Sequence, residues 1–213
     1  MKTARLDALL AQAPVLPVLA FDQLEHAVPL ARTLVAAGLP VLEVTLRSAI
    51  AVEAIRRIVG EVEGAIVGAG TVLTRADLDA VGAAGAAFAI SPGATAALYN
   101  AAADSDIPFL PGVATASELL AGLERGLTRF KLFPAASLGG PALLKAWAGP
   151  FPQVRFCPTG GIDAASAPAW LALANVMTVG GSWMAPPARV AAGDWDGIAT
   201  LARACAALRP RPG

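Results

Sequence analysis

The feature that most restricts this chain is a rhythm of short aliphatic runs alternating with Ala/Leu-rich stretches of helical period. Eight runs read as strands: Val15 to Phe21, Val41 to Arg47, Ala65 to Val72, Phe88 to Pro92, Phe109 to Val113, Arg129 to Pro134, Val154 to Thr159 and Val176 to Gly180. Helical segments lie between them, among them Leu24 to Gly38, Ile50 to Val59, Arg75 to Ala84, Thr95 to Ala103, Thr115 to Arg125 and Ala142 to Ala148. Gly or Pro marks recur at Gly70, Gly93, Gly112, Pro134, Gly160 and Gly181, spaced roughly as one βα unit requires. The runs are apolar on both faces, as they must be when helices cover a parallel sheet. The pattern predicts an α/β chain forming one domain over 1–213, a (β/α)8 TIM barrel. An extra N-terminal helix closes its bottom, and Asp194 to Leu208 supplies a final covering helix. An open doubly wound sheet has a similar local pattern and is the alternative.

Composition removes several classes of function. At 213 residues, folding buries roughly 70% of the surface an unfolded chain exposes, so a core forms without staples. Cys157 and Cys205 have no paired Cys or His spacing, so no metal site is expected. His26 falls in the first turn of a helical segment, where a surface role suffices. Sixteen basic and sixteen acidic residues cancel and form no basic cluster, so no nucleic-acid partner is expected. The first 13 residues lack a signal peptide's apolar core, and no window reaches 18 uninterrupted apolar residues. No membrane partner and a cytoplasmic location are the resulting expectations.

Barrels gather reactive groups at the C-terminal ends of their strands. In Val41-Leu-Glu-Val-Thr-Leu-Arg47 the alternation of side chains puts Leu42, Val44 and Leu46 under the helices and turns Glu43 and Arg47 into the barrel. They stand about 13 Å apart along the strand, Glu43 deeper and Arg47 at the mouth, too far for an ion pair. Lysine is scarce, occurring only as Lys2, Lys131 and Lys145. Yet Lys131 sits mid-strand between Phe130 and Leu132, facing inward with Phe133. Burial favours the free amine, the form that attacks carbonyls, whereas a nearby Glu43 carboxylate favours the ammonium. The sequence does not rank the two, and a buried Lys131–Glu43 salt bridge without chemistry is the plain alternative.

Glycine pairs follow the last two strands, in Pro158-Thr-Gly-Gly-Ile162 and Val179-Gly-Gly-Ser182. Backbone N–H groups at this point of a barrel commonly form a phosphate site. Thr71 and Thr159 are late-strand hydroxyls, and Ser91-Pro-Gly93 and Pro111-Gly-Val113 carry small residues that leave the mouth open.

Taken together, the segments Leu24-Glu-His-Ala-Val-Pro29, Leu42-Glu-Val-Thr-Leu-Arg47, Ala65-Ile-Val-Gly-Ala-Gly-Thr-Val-Leu73, Phe88-Ala-Ile-Ser-Pro-Gly93, Phe130-Lys-Leu-Phe-Pro-Ala135, Gln153-Val-Arg-Phe-Cys-Pro-Thr-Gly-Gly-Ile162 and Gly180-Gly-Ser-Trp183 resemble the bacterial 2-keto-3-deoxy-6-phosphogluconate (KDPG) aldolases. The resemblance implies a class I aldolase of the Entner–Doudoroff pathway, a homotrimer with no metal and no organic cofactor, acting on a small phosphorylated keto acid. It assigns Lys131 as the Schiff-base lysine and Glu43 as the general acid/base. Arg47, Thr71, Pro92 and Phe133 match the pyruvate-side pocket, and Gly160, Gly161, Gly181 and Ser182 match the phosphate end.

Thr159, also on the substrate, falls where the aldolase for the galactonate epimer tends to carry an aliphatic residue, which favours the gluconate substrate. Leu132 and Ala136 depart from the family pattern, where an aromatic and an acidic residue are usual. Activity on 4-hydroxy-2-oxoglutarate also fits, since that substrate shares the pyruvyl half. The alternatives are the galactonate-type aldolase, an imine-free sugar-phosphate isomerase or epimerase, and a non-catalytic sugar-phosphate binder.

Overall fold

The computed structural model describes residues 2–208; Met1 and residues 209–213, both inside the domain expected over 1–213, lie outside that range. Among the described residues nine strands form where the aliphatic runs stand: β1 (Val15–Leu19), β2 (Val41–Thr45), β3 (Ile66–Gly70), β4 (Phe88–Ile90), β5 (Phe109–Leu110), β6 (Gly112–Val113), β7 (Arg129–Leu132), β8 (Arg155–Pro158) and β9 (Val179–Gly181). Every pair is parallel. One curled sheet has the order β5-β4-β3-β2-β1-β9 and the other the order β6-β7-β8. Between the sheets, the Lys131 N–H donates to the Pro111 carbonyl at 2.8 Å, and single parallel bridges join Phe156 to Val176 and Thr159 to Gly180.

The helices are α1 (Lys2–Leu10), α2 (Ala27–Ala36), α3 (Ala51–Glu61), α4 (Arg75–Ala83), α5 (Ala96–Asp104), α6 (Ala116–Leu123), α7 (Pro141–Ala148), α8 (Ala167–Leu171), α9 (Pro187–Ala191) and α10 (Trp195–Ala206). Their starts are written locally. Thr74 with Asp77 and Thr115 with Glu118 form reciprocal capping boxes at α4 and α6, and Thr95 and Asp194 cap α5 and α10.

Most strands end a residue or two before the sequence reading has them, β2 at Thr45 and β7 at Leu132 among them, and three further differences have a local cause. The fifth run splits into β5 and β6 at Pro111, which has no N–H to offer the ladder. The last strand begins at Val179, because the Val176 N–H is spent on the Leu173 carbonyl in the turn after α8. The segment expected as one helix from Leu24 enters through a 3₁₀ turn, Leu24–His26, before α2. His26, expected at the surface, is half-buried there, edge-on to Trp195 at 6.1 Å between ring centres.

Strand alternation sorts the core into two compartments. Leu42, Val44, Phe130 and Leu132 pack outward into the layer shared with the helices. Leu16, Val41, Phe88, Ile90, Leu110 and Cys157 form a separate inner cluster, which Leu6 and Leu10 of α1 cover. The α1 helix is tied to β7 by Arg129, whose Nη2 donates to Asp7 Oδ2 at 2.8 Å. Above this apolar plug, two residues along from Val41, stands Glu43.

Candidate active site

Because all strands run the same way, their C-terminal ends share one rim, and the residues singled out in the sequence collect there. Glu43 is 0% exposed and Lys131 5%. Lys131 Nζ donates to Glu43 Oε1 at 2.9 Å, so the two meet as an ion pair in the interior. Glu43 Oε2 is buried with no hydrogen-bond partner. One oxygen thus holds the amine and the other is unspent, which is costly unless something else uses it.

The pair is walled by small and apolar groups. Gly70, at the end of β3, makes room for the carboxylate: a Cβ there would lie 2.2 Å from Glu43 Oε1. Phe133 lies at the mouth, 36% exposed, its ring centre 5.4 Å from Lys131 Nζ. Cys157, paired with Lys131 in register, is fully buried below. Burial, reinforced by the charge of Glu43, pushes its thiol up to about 12. It therefore stays a neutral floor and not a second nucleophile.

Arg47 lies past the end of β2, exposed at the mouth, with Nε donating to Thr45 Oγ1 at 3.0 Å. Thr71 follows β3 with φ of 60°, the one non-glycine residue with a positive φ among the described residues. For a β-branched side chain this is a real outlier, of the kind that collects at functional sites. Pro92 follows β4, half-buried; no hydrogen bond links Thr71 or Pro92 to the Lys131–Glu43 pair among the described residues.

Past the end of β8, Thr159 is buried, and Gly160 and Gly161 have φ of 101° and 73°. Phe133 and Pro134 crowd Gly160, and Ala136 crowds Gly161, so neither tolerates a side chain. Gly181 is buried at the end of β9 and Ser182 is exposed just after it. Ser182 and Arg47 line one cavity of about 400 Å³ with Phe21, Asp22, Gln23 and His26 from the segment after β1. A second cavity, about 270 Å³ between α1 and α5, lies away from this rim and contains none of these residues.

The sequence reading gives neither Thr45 nor Gly70 a part in the site. Thr45 shares the parity of Glu43, which was a usable signal; the demand on Gly70 comes from a neighbouring strand, which one sequence does not reveal.

A buried lysine on β7 paired with a carboxylate on β2, in a parallel α/β fold, is the geometry against which the known proteins are set. The family described as "KDPG and KHG aldolase" matches residues 6–201. The KHG/KDPG aldolase of Escherichia coli K12 is 54% identical over 197 residues, 92% of each chain. A KDPG aldolase from Legionella pneumophila, solved with pyruvate captured as a covalent carbinolamine, superposes with a TM-score of 0.92 at 47% identity, covering 94% of this chain and 97% of that one. The Zymomonas mobilis ZM4 enzyme, solved with 3-phosphoglycerate, gives 0.92 at 47%, covering 96% of both. With the family match spanning residues 6–201 and 47–54% identity to these relatives over more than nine-tenths of the chain, this chain belongs to the KDPG and KHG aldolase family.

Proposed function

We propose that the protein is a class I aldolase that cleaves 2-dehydro-3-deoxy-6-phosphogluconate to pyruvate and glyceraldehyde 3-phosphate, and that also accepts 4-hydroxy-2-oxoglutarate. The observation that carries this reading is the buried Lys131–Glu43 pair with Oε2 unspent. A buried ion pair is a poor source of stability, whereas this pair supplies a nucleophile and its proton carrier in one contact.

Each step uses that contact. The Lys131 ammonium passes its proton along the 2.9 Å hydrogen bond to Glu43, and the free amine attacks the C2 ketone. Glu43 returns the proton to the carbinolamine oxygen, water leaves, and a protonated imine forms. Glu43, now a carboxylate, takes the C4 hydroxyl proton; the C3–C4 bond breaks, its electrons pass into the imine, and the aldehyde departs from an enamine. Protonation at C3 and hydrolysis release pyruvate and free Lys131. Arg47 and Thr71 hold the substrate carboxylate, Pro92, Phe133 and Thr159 shape the pocket, and Gly160, Gly161, Gly181 and Ser182 cradle the phosphate. That remote binding energy goes into orienting the reacting bond.

The same reading has the two sheets closing as one (β/α)8 barrel domain, with α1 as its N-terminal cover. The Pro111–Lys131 and Thr159–Gly180 contacts at the seams support it. A homotrimer belongs to the reading through the family resemblance alone, and a cytoplasmic location is carried over as an expectation from the sequence.

The test is intact mass and peptide mapping after pyruvate and borohydride, which reduces an imine to a stable amine. The expected result is a pyruvyl adduct on Lys131, absent from a folded Lys131→Met variant. No adduct in folded wild-type protein would overturn the aldolase and favour an imine-free isomerase.

A further inference from the structure

Arg47 is given its task by position, yet it lies beyond the end of β2, where strand geometry no longer fixes a side chain. What fixes it is Thr45. This residue is 3% exposed, at the last position of β2. Its hydroxyl donates to the Leu19 carbonyl, the last of β1, at 2.8 Å. It also accepts from Arg47 Nε at 3.0 Å.

The direction of this chain is unambiguous. A guanidinium N–H can only donate and a carbonyl can only accept, so the hydroxyl proton must point to Leu19 and its lone pair to Arg47. Polarising one bond strengthens the next. Among the described residues, Nε is the guanidinium nitrogen that bonds to protein, and no carboxylate pairs with Arg47. Both terminal NH₂ groups are thus without a protein partner among the described residues.

We infer that Thr45 is a positioning residue, which holds Arg47 through Nε and so presents its two terminal nitrogens as a preformed fork for the carboxylate of the pyruvyl group. The inference rests on the proposed aldolase function and deepens it. Unanchored, an arginine with several rotatable bonds must be ordered by each arriving substrate, and affinity falls without change in the chemistry at Lys131. Threonine suits the position because its hydroxyl bridges two strand ends while its methyl adds apolar bulk.

The experiment measures borohydride trapping of pyruvate against pyruvate concentration for wild type, Thr45→Val, Thr45→Ser, Arg47→Met and the Thr45→Val/Arg47→Met pair. Losing one charge-assisted hydrogen bond should raise half-saturation about tenfold in Thr45→Val. The trapping rate at saturating pyruvate should stay within about threefold, because Lys131 and Glu43 are untouched. Thr45→Ser, which keeps the hydroxyl, should restore the wild-type value.

In the Arg47→Met background, Thr45→Val should add nothing, since the group it acts through is gone. A wild type that traps normally beside a Thr45→Val variant with unchanged half-saturation would overturn the inference and leave the aldolase intact. So would a Ser variant as weak as Val, or a full further loss in the Arg47→Met background. A folded wild type that traps nothing would overturn the aldolase reading, and this inference with it.

Discussion

Replacing Gly70 with alanine tests how closely the carboxylate must be held. The added Cβ would stand 2.2 Å from Glu43 Oε1, 2.7 Å from Cγ and 2.8 Å from Cδ. An unstrained contact needs well over 3 Å, so Glu43 must retreat by about 1 Å. It is fully buried, and a retreat of that size disturbs the 2.9 Å contact of Oε1 with Lys131 Nζ.

The φ of Gly70 is not positive, so alanine fits the backbone itself. The thermodynamic cost is therefore that of overpacking, about 1–3 kcal/mol. That leaves a chain of this size folded, with Tm lower by about 2–4 °C per kcal/mol. Catalysis should fall much further, since a 1 Å misplacement of a reacting group costs about 10²-fold. Pyruvate release, followed by a coupled lactate dehydrogenase assay, should show kcat down by about two decades beside a cooperative melt. A folded Gly70→Ala enzyme within about threefold of wild type would refute the claim that the site is set by this packing.

Glu43→Gln keeps the shape but removes the proton carrier, and should lower kcat by about 10²–10⁴-fold; near-normal turnover would remove Glu43 from the proton transfers. Lys131→Met should abolish the adduct and, by leaving a buried carboxylate unpaired, cost about 3–5 kcal/mol, read by urea unfolding. Thr71→Gly should relieve the strain of a threonine at φ 60°, raising Tm by about 2–4 °C, while pyruvate half-saturation rises about tenfold through the lost hydroxyl; a lower Tm would count against stored strain.

The cysteines give a pH signature. Burial holds Cys157 near 12 and Cys205 near 11, against 9.0 in an open chain. Between these values the folded state keeps protons that the unfolded state gives up. The stability they confer is thus full below pH 9 and declines as pH rises toward 11 and 12. Urea midpoints measured from pH 8 to 11 should fall, and less so in Cys157→Ala.

How much of this was written in the sequence depends on range. Alternation along one strand was enough to turn Glu43 and Lys131 inward, because period-two geometry is local. The helix starts at Thr74 and Thr115 were equally local. Pro111 inside an apolar run was a signal that the ladder would break, and reading five residues as one strand ignored it. Contacts between strands were beyond reach: the Gly70–Glu43 packing, the 2.9 Å pair and the Thr45–Leu19 link all depend on register. So was the left-handed turn at Thr71, since threonine ordinarily argues against that conformation.

The apolar plug beneath Glu43 and Lys131 imposes an order on molecular traffic. With Leu16, Val41, Phe88, Ile90 and Leu110 filling the space below and Leu6 and Leu10 closing it, Lys131 can be approached only from the strand-end side in the proposed reaction. In the proposed reaction the keto-acid half goes in first, to the bottom, and the aldehyde half occupies the way out. Cleavage must therefore discharge the aldehyde before pyruvate, and the water that hydrolyses the imine follows the path the aldehyde has vacated. In the condensing direction the queue reverses, and an aldehyde arriving ahead of pyruvate blocks the enzyme.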